Sequence, residues 1–482
     1  MSFQVQSQDF IARSKDALGD APLQSALGKL RTGLSVRRRE AVAALPEFEA
    51  LREEAAALRD YTLATLDQQL ETFEAQVRAR GGEVHWAPDA ASARAIILEL
   101  CQRYGAKKVL KGKSMVTEEL ELNEHLEAHG LRCVETDLGE YIVQLRRERP
   151  SHIVAPAIHL RKEDVAESFA AHHVGREHAD RSTAEALMAE AREELRAHFL
   201  SAEVGITGAN FAIAETGSTV IVTNEGNGDL TQSLPKVHIA VTGIEKVVPT
   251  LEDASTLLRV LARSATGQEA SVYTTFSTGP RRPEDPDGPE AFHVVLVDNG
   301  RSAMLGTEFE AMLRCIRCGA CLNHCPVYGQ VGGHAYGSVY PGPMGAVLTP
   351  QLAGLDDTVH LPTASTFCGA CEAVCPVKIP LPSLLRRWRQ RAHDARLDGD
   401  RARWLLRFWA FFAARPWLYH PLLSAATTVL GRLAGPTGSF RRLLGGRAWT
   451  ESRNFPAPEG GSFLASLQGE EFAPTPRKAP SR

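Results

Sequence analysis

Seven of the nine cysteines lie between Cys315 and Cys375, and their spacing limits what this chain can fold into more than any other feature. The first run reads C-x2-C-x2-C-x3-C-P and ends at Pro326. Bacterial ferredoxins hold a [4Fe–4S] cube with this spacing, because short steps let one loop wrap three corners of the cube. The second run, from Cys368 to Pro376, matches the pattern from its second cysteine onward. The segment therefore predicts two iron–sulfur clusters.

The ligands of the two clusters are predicted to cross between the runs. One loop cannot supply the fourth corner of its own cube, and in two-cluster ferredoxins the last cysteine of each run binds the other cluster. The first cluster, a [4Fe–4S] cube, then has four thiolates, and the second cluster has three. The two predicted ligand sets are Cys315, Cys318, Cys321 and Cys375, and Cys368, Cys371 and Cys325.

The second set lacks one thiolate, because Ser365 stands three residues before Cys368, where the missing cysteine would fall. Three thiolates suit a [3Fe–4S] cluster, or a [4Fe–4S] cluster whose last iron is held by serine, water or another side chain. His324 and His360 are candidates for that iron, although a histidine in such a loop is more commonly an ordinary polar residue. The sequence leaves the type of the second cluster open.

Two other uses of cysteine fit the spacing poorly. Structural zinc sites also use thiolates, but they take separated C-x2-C pairs and do not require two runs that end in Cys-Pro. Disulfide frameworks are typical of exported domains. The first 20 residues carry charges throughout and have no apolar core of a signal peptide, so we expect a cytoplasmic protein.

Composition excludes several classes of protein. The chain has 482 residues, 44% of them apolar and 23% charged, as in ordinary soluble proteins of two or three domains. Its net charge of −4 gives no general attraction for nucleic acid. No run of about 20 apolar residues is present, so we expect no membrane-spanning helix.

Hydrophobic periodicity divides the chain into four predicted regions. Residues 1–80 have apolar residues at three- and four-residue steps and are predicted to be helical. Residues 81–300 alternate strands and helices, which predicts an α/β domain with a largely parallel sheet. Residues 301–396 form the α-helical two-cluster domain. Residues 397–482 form a helical C-terminal domain, with a flexible tail over the last 30 or so residues.

Several local features are predicted within the α/β region. Residues 108–111 and 152–155 are expected to be strands, and Thr117 is expected to cap a helix. Cys101 and Cys133 fall in a predicted helix and a predicted strand. We interpret them as small buried hydrophobic residues rather than metal ligands.

Two glycine-rich segments suggest a ligand site in the α/β region. They run over residues 205–218 and 224–229, on either side of a predicted buried strand at 219–223. Glycines beside strand ends let a ligand approach the backbone, but the same residues also suit plain turns, and the sequence does not decide between these interpretations. A site here could also use three charged residues, Lys111, Lys113 and Glu215.

Residues 400–431 are rich in tryptophan and phenylalanine, with arginine and proline between them. One interpretation is an amphipathic helical pair that docks a partner or lies on a membrane surface, as a peripheral contact at the inner face of the membrane. The other is core packing against the cluster domain, because aromatic stripes at helical spacing are usually buried inside a protein. The residues concerned are Trp404, Phe408, Trp409, Phe411, Phe412, Trp417 and Tyr419.

Together these residues resemble the lactate utilization protein B family over nearly the whole chain. Besides the cysteine runs, the likeness rests on residues 151–156, 206–218 and 331–338, and on the Val-Lys-Ile-Pro-Leu that follows Pro376. Ser365 in place of a cysteine also looks typical of that family. The resemblance implies an α/β lactate-utilization (LUD) domain, similar in fold to ribose-5-phosphate isomerases and CoA transferases. A two-cluster ferredoxin-type domain and a helical C-terminal region would follow it.

The resemblance also implies a function. Members of the family are iron–sulfur subunits of a complex that oxidises L-lactate to pyruvate, together with a cysteine-rich subunit and a smaller LUD subunit. The electron acceptor stays undefined. The sequence has no confident G-x-G-x-x-G fingerprint, so we assign no nicotinamide or flavin to this chain. We therefore expect an electron carrier, one subunit of an oxidoreductase rather than a complete enzyme.

Two alternative functions stay open. The α/β domain could bind a small carboxylate or phosphorylated ligand near Glu215 and Asn224, with a labile iron beside Ser365 as Lewis acid. The clusters could instead be structural elements of a scaffold. A glycolate oxidase iron–sulfur subunit would share the cysteine runs but not the LUD segment.

Overall fold

In the computed structural model a six-stranded sheet organises the α/β region, and all of its neighbouring strands are parallel. Two of its inner strands, residues 237–243 and 291–297, are buried along nearly their whole length, because a parallel sheet is covered on both faces. The predicted parallel α/β architecture is confirmed. In spatial order the strands are β1 (Glu83–Ala87), β10 (Ala291–Val297), β7 (Val237–Gly243), β4 (Val204–Gly208), β2 (Lys108–Lys111) and β3 (Arg132–Glu135).

A second sheet of four strands carries the segment between the two glycine-rich stretches. One of its pairs is parallel and the other two are antiparallel. The strand between the glycine-rich stretches is mostly buried, as predicted. In spatial order the strands are β8 (Val247–Val248), β5 (Phe211–Ile213), β6 (Ser218–Thr223) and β9 (Tyr273–Ser277).

The structure describes residues 5–397 and 399–434, and then residues 437–442, 446, 450 and 453–458. The predicted flexible tail beyond residue 458 lies outside the described residues. The chain folds into two compact units, and the first of them ends at Leu397. The four domain limits expected from the sequence stay predictions.

The N-terminal region is helical and packs on the cysteine segment. Phe48 and Leu51 belong to the hydrophobic core that also contains most of the clustered cysteines. The guanidinium of Arg59 is buried and donates hydrogen bonds to the carbonyls of Val247, at 2.8 Å, and Leu313, at 3.2 Å. The helices are α1 (Phe10–Gly19), α2 (Ala21–Thr32), α3 (Leu34–Ala43), α4 (Phe48–Ala64) and α5 (Leu66–Ala79).

Two local predictions in the α/β region are wrong. Thr117 lies inside a helix whose cap is Ser114, and its N–H donates to the Ser114 hydroxyl at 3.3 Å. Residues 152–155 form a turn, because Nδ1 of His152 accepts the N–H groups of Val154 and Ala155 at 3.0 and 3.1 Å. The helices are α6 (Ala90–Arg103), α7 (Met115–Glu119), α8 (Leu122–Ala128), α9 (Leu138–Leu145), α10 (Lys162–His172), α11 (Ala184–Phe199), α12 (Asn227–Ser233) and α13 (Leu251–Ala265).

Short helices and turns build the cysteine segment. Its longest helix is held by Trp388, whose ring stacks on Phe309 at 4.0 Å and whose Nε1 donates to the carbonyl of Val347 at 2.8 Å. Cys101 and Cys133 lie far from it in sequence, buried in α6 and β3 as predicted. The helices are α14 (Ala320–Asn323), α15 (Tyr328–Val331), α16 (Gly342–Ala353), α17 (Ala370–Ala373) and α18 (Leu381–Asp394).

The C-terminal unit contains a pair of packed helices and a short antiparallel strand pair. Within this unit Trp404, Trp409 and Trp417 are 62%, 58% and 72% exposed, and packing of these side chains against the cluster domain stays a prediction. None of the described helices is long and apolar enough to cross a bilayer. The elements are α19 (Asp400–Ala413), α20 (Pro416–Leu433), β11 (Ser439–Phe440) and β12 (Phe455–Pro456).

Candidate metal centre and adjoining cavity

The two cysteine runs fold into two copies of one loop. At the same place in each loop a non-glycine residue has a left-handed backbone conformation. These residues are Arg317, with φ of 59°, and Phe367, with φ of 55°. Two residues later Gly319 and Gly369 are left-handed as well, at 74° and 82°, and each precedes a short helix, α14 or α17. Left-handed non-glycine residues are uncommon. Their recurrence at matching positions therefore indicates that both runs wrap in the same way.

Ser365 has the place in the second loop that Cys315 has in the first. The N–H of Arg317 donates to Sγ of Cys315 at 3.4 Å. The N–H of Phe367 donates in the same way to Oγ of Ser365 at 3.1 Å. The serine oxygen therefore stands where a fourth thiolate of the second cluster would stand.

Four thiols from both runs line one cavity. They are the four that the crossing rule assigns to the first cluster, three from the first loop and the last cysteine of the second run. The pKa of Cys321 is raised well above its ordinary value by burial, and then by the neighbouring thiols. Most other walls of the cavity are apolar, formed by Ile153, Ile316, Met344, Val377, Ile379 and Leu381.

The remaining three thiols form a second group beside the first. Burial raises the pKa of Cys371 to about 12, and the nearby thiols of Cys325 and Cys368 contribute to the rise. Cys371 also acts on Cys321 of the first group, so the two groups adjoin. Cys368 is exposed. The seven cysteines therefore lie in two adjoining groups, and which cluster each of them binds stays a prediction.

The chemistry of the thiols fits iron–sulfur clusters. Burial raises the pKa of Cys318 to about 12 and that of Cys375 to about 11, so bound metal must displace their protons. Backbone N–H groups already donate to sulfur, from Tyr328 to Cys325 at 3.5 Å and from Ile379 to Cys375 at 3.4 Å. Hydrogen bonds of this kind tune and orient metal ligands.

Cationic side chains surround the first group. Arg52 donates to the carbonyl of Cys375 at 2.7 and 3.0 Å, and Lys246 donates to the carbonyl of Cys315 at 2.7 Å. Nη1 of Arg317 is buried and has no hydrogen-bond partner among the described residues. These cations would offset the negative charge of four thiolates, and the free Nη1 could donate to a sulfur.

The candidate histidines have other contacts. Nδ1 of His324 lies 2.9 Å from the carbonyl of Ala320, and the carbonyl of His360 accepts the Thr363 hydroxyl at 2.6 Å. Within the described residues no hydrogen bond links either ring to a cysteine. Ser365 is the better-placed candidate for the open position of the second cluster, because its Oγ has the place that Sγ of Cys315 has in the first loop.

A separate cavity of about 270 Å³ lies at the carboxyl ends of the parallel strands. Ligands commonly bind at this edge of a parallel sheet. Gly208 and Asn210 reach it from the first glycine-rich segment, and Asn224 and Gly228 reach it from the second. The two segments therefore meet at one site, which favours the ligand-site interpretation over plain turns.

Two of the three charges expected beside this cavity lie elsewhere. Lys111 is buried and pairs with Glu118 and Glu135, each at 2.7 Å. The carboxylate of Glu215 accepts the N–H of the first residue of α13 at 3.1 Å. Lys113 does line the cavity.

The cavity shares a wall with the first thiol group. Ile316, Arg317 and Cys318 line both the 270 Å³ cavity and the thiol cavity. The ligand site is therefore next to the first cluster position, whereas the sequence had suggested a link to Ser365 in the second loop. The position of Arg317 between two cysteines was a signal, but nothing in its spacing indicated contact with the α/β region.

Sequence reasoning also missed a buried ion network that joins the sheet to the cysteine segment. Arg301 is fully buried and pairs with Glu119 at 2.7 Å and with Glu245 at 2.9 Å. Tyr340, between the cysteine runs, donates to Glu119 at 2.7 Å. Glu245 also pairs with Arg317 at 3.4 Å. These residues form no local motif, because their contacts arise only in the folded chain.

Two known protein families match successive parts of the chain. Residues 70–297 match the family described as LUD domain. Residues 311–379 match the family described as 4Fe-4S dicluster domain. The second match contains both cysteine loops.

Curated relatives match almost end to end. Lactate utilization protein B of Bacillus pumilus is 44% identical, over 96% of this chain and 98% of its own length. The protein of the same name from Geobacillus kaustophilus is 44% identical, over 99% of this chain and 100% of its own. An Escherichia coli protein named uncharacterized electron transport protein YkgF is 41% identical, over 96% and 97%.

Proposed function

The chain belongs to the lactate utilization protein B family, and on this premise we propose that it is the iron–sulfur, electron-transferring subunit of a complex that oxidises L-lactate to pyruvate. The observation that carries the proposal is the grouping of thiols from two distant runs around one largely apolar cavity, with three more thiols beside it. Clusters held from two loops need such a grouping.

Two clusters would be held by the seven cysteines, a [4Fe–4S] cluster by the first set and a [4Fe–4S] or [3Fe–4S] cluster by the second. A bound cluster supplies storage for one electron at a time. The chain's own residues largely exclude water from the first set, donate backbone N–H groups to sulfur and offset negative charge. The two sets are Cys315, Cys318, Cys321 and Cys375, and Cys325, Cys368 and Cys371.

The partners we infer are a cysteine-rich subunit and a small LUD subunit. Oxidation of a hydroxy acid to an oxo acid removes two electrons and two protons, and clusters alone hold single electrons. Further subunits would therefore complete the reaction and pass electrons to an acceptor. The names of the relatives, lactate utilization protein B and electron transport protein, support this division of labour.

We further propose that the protein is cytoplasmic and touches the inner membrane face through α19 and α20. Residues 401–450 contain eight arginines and no aspartate or glutamate. Tryptophan beside arginine on an exposed helix is typical of helices that lie in an anionic membrane surface. The exposure of Trp404 and Trp417 supports this proposal.

The test of the proposed function is chemical and spectroscopic. Full-length protein, purified without oxygen, should contain iron and inorganic sulfide for two clusters. On reduction it should give an EPR spectrum of two interacting clusters, because the thiol groups adjoin. Protein that is colourless and carries zinc after expression with ample iron would contradict the proposal.

A ligand-binding α/β domain is the second candidate function. The 270 Å³ cavity supports it, because two glycine-rich segments and Lys113 meet there. The cavity adjoins Cys318 of the first set. A role for Lewis-acid iron beside Ser365 therefore gains no support from this cavity.

A further inference from the structure

The cavity at the carboxyl ends of the parallel strands has the first cysteine loop as one of its walls. Cys318 and Arg317 line it from that loop, and Gly208 and Gly228 line it from the α/β region. A molecule held in the cavity would therefore lie against a side chain predicted to bind the first cluster. A ligand site unrelated to the clusters would not need this arrangement.

The size of the cavity limits what can occupy it. Its volume of about 270 Å³ is just below the range of roughly 300–1,000 Å³ that encloses drug-sized ligands. A dinucleotide or a flavin is too large to be enclosed there. A metabolite of a few carbon atoms fits.

Polar groups around the cavity favour an anion. Lys113 and Arg317 bring positive charge to its lining. Nη1 of Arg317 is buried and, among the described residues, has no hydrogen-bond partner. Asn227 also lines the cavity and is 8% exposed. A buried donor that lacks a partner is costly, so a carboxylate that accepts a hydrogen bond from Arg317 is favoured.

Two carboxyl groups also line the cavity and offset part of this positive charge, to which Lys246 contributes as well. Oδ1 of Asp137 accepts the N–H groups of Gly139 and Glu140 at 3.0 and 3.2 Å, which caps α9. Burial raises the pKa of Glu225, and the charge of Asp137 raises it further. Glu225 is thus protonated more readily than an ordinary glutamate, and its neutral form can donate a hydrogen bond.

We propose that this cavity binds a small 2-hydroxy or 2-oxo carboxylate directly beside the first cluster position. The chemical class of the acid rests on the proposed function, in which such acids are the substrate and the product. Lys113 and Arg317 supply the charge for the carboxylate, and Asn227 supplies a hydrogen bond. The acid is then held in this chain, at the junction of its α/β and cysteine-rich parts, whichever companion subunit completes the oxidation.

Calorimetric titration of the full-length, iron-loaded protein tests the assignment. L-Lactate and pyruvate are titrated without oxygen, with propane-1,2-diol as a neutral analogue and inorganic phosphate as an unrelated anion. We expect one molecule of either acid to bind per chain and the diol not to bind. The EPR spectrum of the reduced protein should change when the acid is added, because the ligand lies against the cluster loop.

Substitutions in the cavity lining make the test specific. Lys113→Met and Asn227→Ala should each weaken binding of the acids at least tenfold. Lys107→Met, at an exposed lysine outside the cavity, should leave the affinity unchanged. Iron content and melting temperature are compared first, and Asn227→Ala keeps the test decisive if Lys113→Met misfolds.

Three results would overturn the inference. These are binding of neither acid by the iron-loaded protein, wild-type affinity in both cavity variants, and binding of phosphate in place of the acids. A failure of the proposed function is distinguishable, because it shows as protein without iron before any titration begins.

Discussion

The two cysteine loops have the same backbone conformation but differ in one side chain, which is Ser365 in the second loop and Cys315 in the first. In each loop the residue two positions further on, Arg317 or Phe367, has a left-handed backbone conformation. Its N–H donates a hydrogen bond to a side-chain atom of residue 315 or 365. That atom is the sulfur of Cys315 in one loop and the oxygen of Ser365 in the other. A hydroxyl is a weaker ligand for iron than a thiolate, so the second cluster should be the less firmly held.

Substitution at positions 365 and 315 should change which cluster loses iron. Mild oxidation of the wild-type protein should release one iron from the second cluster and give a [3Fe–4S] EPR signal. Ser365→Cys should abolish the signal, because four thiolates then hold the cube. Cys315→Ser, the matched control, should introduce the same lability in the first cluster. An unchanged signal in Ser365→Cys would contradict the equivalence of the two positions.

Arg301 has a structural role rather than one in metal binding. Its guanidinium is fully buried between Glu119 and Glu245, which are themselves buried. Burial alone would raise the pKa of Glu245, but the charge of Arg301, followed by Lys246, holds it at about 2. The sheet and the cysteine segment are therefore joined by charges that need one another.

Removal of that cation should be costly. Arg301→Met leaves two buried carboxylates without their main partner, and we expect the free energy of unfolding to fall by about 3–5 kcal/mol. Chemical denaturation of the iron-loaded protein measures the change. Arg282→Met is the control, because Arg282 and Asp285 form an exposed pair at 3.2 Å, and little change is expected there. Equal stability of the two variants would contradict the assigned role.

The helices α19 and α20 differ from the others in which residues they expose. Trp404, Leu405, Phe408 and Trp409 of α19 are all more than half exposed. In a soluble protein such a concentration of exposed apolar residues marks an interaction surface. Between Trp404 and Trp417 all charged residues are arginines, which favours contact with an anionic surface.

Vesicle binding tests this surface. The full-length protein should sediment with vesicles that contain phosphatidylglycerol, less so at high salt, and only weakly with phosphatidylcholine. The double substitution Trp404→Ala, Trp409→Ala should reduce binding at least about tenfold, because the apolar anchors are lost. Trp86→Ala, at a tryptophan of β1 that is 44% exposed, is the matched control. Absence of binding to anionic vesicles would contradict the membrane proposal and favour a protein partner.

In the larger unit the cysteine segment does not fold as a separate module. Its thiols share one hydrophobic core with Phe48 and Leu51 of α4 and with Leu257 of α13. Arg52 of the N-terminal region also donates to the carbonyl of Cys375. Loss of the clusters should therefore destabilise the fold well beyond the two loops.

Iron removal measures this coupling. Protein expressed without iron should melt roughly 5 °C or more below the iron-loaded protein, because the free energy of metal binding contributes to folding. Hydrogen exchange should increase in α4 and α13 as well as in the loops. The matched control is α11, which packs in another core around Phe169. Equal melting temperatures would show that the clusters are added to an already stable fold.

Spacing alone was enough to predict the two ligand groups. Thiolates must reach a cube at fixed distances, so the local pattern of Cys315 to Pro326 carries the chemistry without reference to the rest of the chain. The strand β2 was also predictable, because the pattern of apolar residues that indicates it is local.

Local contacts overrode the pattern elsewhere. At residues 152–155 the side chain of His152 binds the backbone and replaces a strand with a turn. The sequence expected a site near Glu215, but that carboxylate is used at the start of α13. Short-range hydrogen bonds of this kind are not visible in periodicity.

The sequence by itself determined that this chain has two runs of closely spaced cysteines suited to iron–sulfur clusters, a parallel α/β domain and a helical C-terminal region, because each follows from residue types at short spacing. Only the tertiary structure decided that a ligand cavity meets the first set at Arg317 and Cys318, and that Arg301 joins the two parts. The physical reason is that these contacts join residues far apart in the chain. Packing of the whole fold sets their positions, and no local pattern records it.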